Sequence, residues 1–261
     1  MDKSTLLIVN GDDFGYTKGI SDGVIQAHSN GIVTSTSIMA NGMAFDYAVS
    51  LLVENPSLGV GIHLNVFEGK PVAPPESIPG LLDHDGNFLR ADVIRKARRL
   101  ELSEREVYLE FAAQVEKCLA RGVRLNHIDS HQHLHLFPQV LRAVLKLSKE
   151  YKIRAVRTQR ILRDYRCASG EVLCRASKIP ADTLRLLHFK YMKREAITVA
   201  DYLVNDQVIG DQSFEMDEKA RWDGKLFHLA PGKYEVCCHV GLIDSVTSPD
   251  KDMIWSAHGA S

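Results

Sequence analysis

Short apolar runs rich in branched residues alternate along this chain with stretches of helical spacing, and that alternation limits it to folds built from repeated strand-then-helix units. Leu6 to Val9 is a short buried strand by length and branching. Gly19 to Asn30 then carries Ile20, Val24 and Ala27 at helical spacing and is closed by Gly31. Val33 to Ala40 repeats the strand type, Ala44 to Glu54 reads as a helix, and Leu58 to Leu64 returns to a strand. Helices are expected over Arg90 to Arg99 and Ser103 to Arg121, the latter opening on Ser103-Glu-Arg-Glu106, a capping-box pattern. Leu125 to Ser130 is the next strand, and Pro138 suits the first turn of a helix reaching about Tyr151. Ala155 to Thr158, Thr198 to Val204 and Tyr234 to Val240 complete the strand candidates. Repeated βα order requires parallel strands joined by right-handed crossovers.

With 261 residues, one domain of α/β-barrel size accounts for the whole chain. Two stretches break the rhythm. Residues 65–90 open on a segment rich in Gly and Pro that directly follows His63, and read as an active-site loop, a lid or substrate wall. Residues 160–228 carry basic, helical-looking pieces that do not resolve into a clear order of elements.

Lys plus Arg at 32 against Asp plus Glu at 33 leaves a formal charge of -1, which gives no electrostatic footprint for nucleic acid or anionic lipid. Leu6 to Val9 is too short for a signal-peptide core, and no stretch approaches the roughly 18 apolar residues of a membrane span. The five cysteines, Cys118, Cys167, Cys174, Cys237 and Cys238, form an odd set with no CxxC pair, so they are read as reduced and the chain as cytoplasmic.

The polar residues of interest cluster where strands end, the place where α/β enzymes build their sites. Asp12 and Asp13 end the first strand, His63 the third, and Asp129 and His131 the strand after the long helix. From His127 to His135 the polar residues His127, Asp129, His131, His133 and His135 recur with a period of two. An extended backbone would turn all five towards one polar interior, although the loop must begin somewhere among them. They cannot all be direct ligands of one ion. His239 follows two thiols on an apolar strand. Carboxylates and imidazoles in this combination suit a divalent metal and proton transfer around it.

Four segments carry a resemblance: Val9-Asn-Gly-Asp-Asp-Phe-Gly15, Gly31-Ile-Val-Thr-Ser-Thr-Ser37, Val60-Gly-Ile-His-Leu64 and His127-Ile-Asp-Ser-His-Gln-His-Leu-His-Leu-Phe-Pro138. In order and spacing the chain resembles the YdjC-like carbohydrate deacetylases, the group that includes chitooligosaccharide deacetylase, from Leu6 to about Asp244. The resemblance implies a distorted TIM-like (β/α) barrel and metal-dependent removal of N-acetyl groups from amino sugars. By position it implies that Asp13, His63 and His131 hold the ion, that Asp12 is the general base and that His239 is the general acid. Asp129, His133 and His135 then read as groups that orient the ligands, because a metal-bound imidazole needs a partner on its other nitrogen. One carboxylate with two imidazoles suits Zn²⁺, and the resemblance also admits Mg²⁺.

Two departures stand out. The family's last histidine usually sits in Cys-His-Pro, whereas here the segment is Cys238-His-Val-Gly241. The chain ends soon after Asp244 without the expected terminal helix, leaving an edge that a second copy could cover in a homodimer. Other functions that this scaffold would allow are a phosphoesterase, with Arg154, Arg157 and Arg160 as the phosphate clamp, and a non-catalytic sugar-binding protein. Phe14, Tyr16 and Phe67 lie near the rim as sugar platforms or as packing residues.

Overall fold

The computed structural model describes residues 4–157, 190, 192–195, 197–205 and 231–242. The elements alternate as expected: β1 (Thr5–Phe14), α1 (Lys18–Asn30), β2 (Ser35–Ile38), α2 (Phe45–Glu54), β3 (Gly59–Leu64), α3 (Ala91–Arg98), α4 (Glu104–Ala120), β4 (His127–Ser130), α5 (Pro138–Glu150), β5 (Ala155–Val156), β6 (Tyr202–Asn205) and β7 (Gly232–Cys238). The class is α/β with parallel strands, as the alternation requires. The chain divides into two compact units, Asn10–Val156 with His239–Ser261, and Met1–Val9 with Arg157–Cys238.

In the larger unit the strand order is β5-β4-β3-β2-β1, each strand parallel to the next. Local chemistry fixes the helices between them. Thr17 caps α1 by accepting from Ile20 N at 3.2 Å, and Ser103 caps α4 by accepting from Glu106 N at 3.3 Å, each satisfying an amide that the helix leaves open. Pro138 opens α5, where its missing N–H costs nothing. Val107, Phe111, Val115 and Cys118 line the buried face of α4, and Val140, Ala143, Val144 and Leu147 that of α5. These two helices pack on each other. Each large apolar side chain fully buried there contributes about 1.5–3 kcal/mol relative to exposure.

Two register features aim the polar strand ends. Between β1 and β2 the pairs Gly11 with Thr36 and Phe14 with Ile38 put three steps of β1 against two of β2, so β1 carries a bulge at Asp12 and Asp13. Asp13 sits at φ 61, a left-handed conformation that Asp tolerates better than most residues. Between β3 and β4, His63 and Asp129 are direct register partners.

Residues 65–90 form a built wall. They contain two short 3₁₀ turns, Pro75–Ser77 and Pro79–Leu81, and an antiparallel bridge between Leu82 and Phe88. Val66, Phe67, Ile78, Leu81 and Phe88 are buried. The fully buried carboxylate of Glu110 on α4 accepts from Val72 N at 3.0 Å and Ala73 N at 2.9 Å. Gln114, one turn along, accepts from Asn65 N at 3.0 Å and donates to Asn65 O at 2.5 Å, so α4 holds the start of the loop.

The strand expected over Leu125 to Ser130 ends at Ser130, and the loop begins at once: His131–Leu136 turn in a kinked 3₁₀ segment, so the period-two polar pattern does not continue as extended backbone. Gln132 and His133 adopt left-handed φ values of 54 and 52. The hydroxyl of Ser130 accepts from His135 N at 3.0 Å and pairs with His135 Nδ1 at 2.5 Å, closing that turn on itself. Alternation of polar and apolar residues therefore arises here from a tight turn.

In the smaller unit β6 and β7 pair in parallel, with Tyr202 opposite Tyr234 and their rings stacked at 5.5 Å. Arg157 is buried there, its Nε donating to Glu235 Oε1 at 2.6 Å. Cys167, Cys174, Arg160 and the stretch after residue 242 lie outside the described residues, as does most of 160–228. Of the described cysteines, Cys118 and Cys237 are buried and Cys238 is part-buried.

Candidate metal centre

The bulge of β1, the C-terminal ends of β3 and β4 and the turn after β4 bring Asp13, His63 and His131 together, all buried in the larger unit. Asp13 Oδ1 lies 3.1 Å from His63 Nε2 and 3.0 Å from His131 Nδ1. One donor atom from each residue lies within 4.8 Å of the other two. Donors that bind one ion at about 2.0–2.2 Å sit about 3 Å apart, so this spacing suits a shared ion.

The other nitrogen of each ring also faces a carboxylate. His63 Nδ1 donates to Asp129 Oδ1 at 2.8 Å, and Asp129 Oδ2 accepts from Ser37 Oγ at 2.8 Å. His131 Nε2 lies 3.2 Å from Glu68 Oε1. A neutral imidazole has one N–H and one lone pair, so it can satisfy one carboxylate and not two. The second pairing on each ring needs an extra proton or a cation between lone pair and oxygen. Asp13 Oδ2 is buried and accepts no hydrogen bond from any described residue, which is costly for a carboxylate with no cation. The donor set thus fits a divalent ion.

The protonation of the metal-free protein follows from the same geometry. Burial would push Asp13 up, but the His131 and His63 rings hold it well below the usual carboxylate range. Burial would lower His131, and the Asp13 carboxylate outweighs it, raising the ring to about 9. His63 is likewise raised well above its ordinary value, against burial, by Asp129 and Asp13.

The remaining sequence candidates fall around this core. Asp12 Oδ1 accepts from Asn10 Nδ2 at 2.8 Å, and the Asp12 carboxylate groups with His63 and Asp129 within 4.8 Å. Asn10 Nδ2 also donates to Ser37 Oγ at 3.1 Å, joining the Asp12 and Asp129 arms. His239 Nε2 stands 3.9 Å from Asp13 Oδ2 with its side chain 31% exposed, on the solvent side of the buried cluster. His133 and His135 stack edge to face at 6.3 Å, and the partner of His135 Nδ1 is Ser130. Phe14 is fully buried and belongs to the core, while Phe67 packs tilted against His131 at 5.8 Å. Of the suggested phosphate clamp, Arg157 is buried on Glu235 and Arg154 is exposed.

Sequence reasoning missed Glu68, Ser37 and Asn10. The one available signal for Glu68 is an acidic residue in the loop directly after His63.

Among the described residues, no helix is long and apolar enough to cross a membrane. A carbohydrate deacetylase of Brevibacillus brevis is 44% identical over 147 residues, 56% of this chain and 57% of that protein. One of Oceanobacillus iheyensis is 40% identical over 157 residues, 60% of this chain and 66% of that protein. The matched stretch thus spans under two thirds of the length of these relatives. A protein of Enterococcus faecalis described, provisionally, as a cellobiose-phosphate cleavage protein superposes with a TM-score of 0.72 and 26% identity, over 94% of this chain and 84% of that one. The profile of the YdjC-like protein family matches residues 6–257, and the chain belongs to that family.

Proposed function

We propose that the protein is a metal-dependent hydrolase that removes N-acetyl groups from acetylated amino sugars and releases acetate. The observation that carries this reading is the Asp13–His63–His131 cluster, with a second carboxylate, Asp12, held beside it and a more exposed imidazole, His239, close to both aspartates. The similarity to proteins named carbohydrate deacetylases supplies the substrate class.

Asp13, His63 and His131 would hold a divalent ion, whose chemistry there would be to polarise the acyl carbonyl and make a water more acidic. Asp12, oriented by Asn10, takes the proton of the attacking water. His239 delivers a proton to the departing amine as the C–N bond breaks, which gives free acetate and the amino sugar. Asp129 and Ser37 fix the His63 ring while this happens. Residues 65–90 supply the wall against which the sugar is held. Zn²⁺ is the ion favoured by a carboxylate with two imidazoles, with Mg²⁺ as the alternative. The odd cysteine count without a CxxC pair supports a cytoplasmic location, and light scattering tests for a homodimer.

Acetate release from N-acetylglucosamine oligomers, run beside p-nitrophenyl phosphate hydrolysis, tests the reaction class. Release of acetate without phosphate turnover is expected. Phosphate turnover that survives alone would move the assignment to a phosphoesterase.

A further inference from the structure

The geometry assigns Glu68, a residue of the loop wall, as the positioning residue that sets the proton on His131 and so presents His131 Nδ1 to the ion site; the inference rests on the metal-site reading above. Glu68 Oε1 lies 3.2 Å from His131 Nε2, and its side chain is only 15% exposed. His131 Nδ1 in turn lies 3.0 Å from Asp13 Oδ1. With the ring proton on Nε2 and donated to Glu68, the lone pair is on Nδ1, the atom beside Asp13.

What distinguishes Glu68 from a loop glutamate that happens to lie near is how firmly it is placed. Its carbonyl accepts from Asn41 Nδ2 at 3.1 Å and Asn65 Nδ2 at 2.8 Å, and its amide donates to Asn65 Oδ1 at 3.3 Å. The flanking carbonyls are held too, Phe67 O by Arg90 N at 2.9 Å and Gly69 O by Phe88 N at 3.0 Å. The carboxylate is braced from the far side by Arg90 Nη2, 3.3 Å from Oε2, and by a hydrogen bond from the Tyr16 hydroxyl. Arg90 reaches it from a backbone at φ 53, a conformation that a non-glycine residue keeps only when its surroundings impose it. Glu68 does for His131 what Asp129 does for His63, but from the loop wall and not from a strand.

The test is Zn²⁺ titration calorimetry on the full chain, comparing wild type with Glu68→Met, which keeps length and removes the acceptor, and Glu68→Gln, which keeps a carbonyl acceptor. Glu68→Met is expected to bind Zn²⁺ about 10–100-fold more weakly, and Glu68→Gln to regain most of the affinity. Equal affinity in Glu68→Met and wild type overturns the inference. Long-range ¹H–¹⁵N spectra of the Zn²⁺-loaded wild type are expected to show the His131 proton on Nε2. A proton on Nδ1 overturns it even if Glu68→Met does not fold. A wild type that binds neither Zn²⁺ nor Co²⁺ overturns the metal site itself, an outcome separate from equal binding by variant and wild type.

Discussion

His63 and Asp129 are register partners across β3 and β4, and the Nδ1–H of His63 donates to Asp129 Oδ1 at 2.8 Å, which leaves Nε2 turned towards Asp13. The pairing of two parallel strands therefore sets the tautomer of a ligand ring. Asp129→Ala removes the acceptor and leaves the ring free to rotate. Metal affinity is expected to fall about 10–100-fold, measured by competition with a chromogenic chelator. Unchanged affinity would take Asp129 out of this role.

Asp12→Asn keeps the shape of the carboxylate and the contact with Asn10 while removing the base. Metal content by elemental analysis is expected to stay at the wild-type value, with kcat down about 10²–10⁴-fold. A variant near the wild-type rate would transfer the base role to another group.

The raised imidazoles give a pH dependence with a defined sign. A ring whose folded pKa lies above its unfolded value stabilises the fold fully below the unfolded value and loses that stabilisation as pH rises through the folded one. For His131 the window runs from 6.5 to about 9, and His63 acts in the same direction. The metal-free protein should therefore become less stable across that window, as read by chemical denaturation. Metal affinity should rise across the same window, because a ligand imidazole must first give up its proton. A metal-free stability that is flat or rising there would contradict the double pairing of the rings.

Gly42 packs against the turn that follows the β1 bulge. A Cβ at this position would overlap the carbonyl oxygen of Gly15 and crowd Tyr16. Backbone cannot yield as a flexible side chain would. Gly42→Ala is expected to destabilise the fold by about 1–3 kcal/mol in chemical denaturation. A neutral effect would mean that the turn behind Asp13 can shift.

The β/α order and the strand ends that carry Asp13, His63 and Asp129 were legible because branched apolar runs and helical spacing are local signals. The bulge that turns Asp12 and Asp13 together was not, since it shows only as a register shift against β2. The strand end at Ser130 was legible, but the turn from His131 to Leu136 was not, because a period of two does not distinguish a strand from a kinked 3₁₀ segment. Glu68 carries no sequence signature of its role. Its position depends on Asn41, Asn65 and Arg90, residues up to 27 positions away that only the folded loop brings together.

The most direct measurement is acetate release from N-acetylglucosamine oligomers by chelator-stripped protein, before and after separate reconstitution with Zn²⁺, Mg²⁺, Co²⁺ and Ni²⁺. Stripped protein is expected to be inactive, with at least one ion restoring release and His131→Ala failing to recover it. Full acetate release by protein shown to be free of metal would contradict the metal-dependent mechanism.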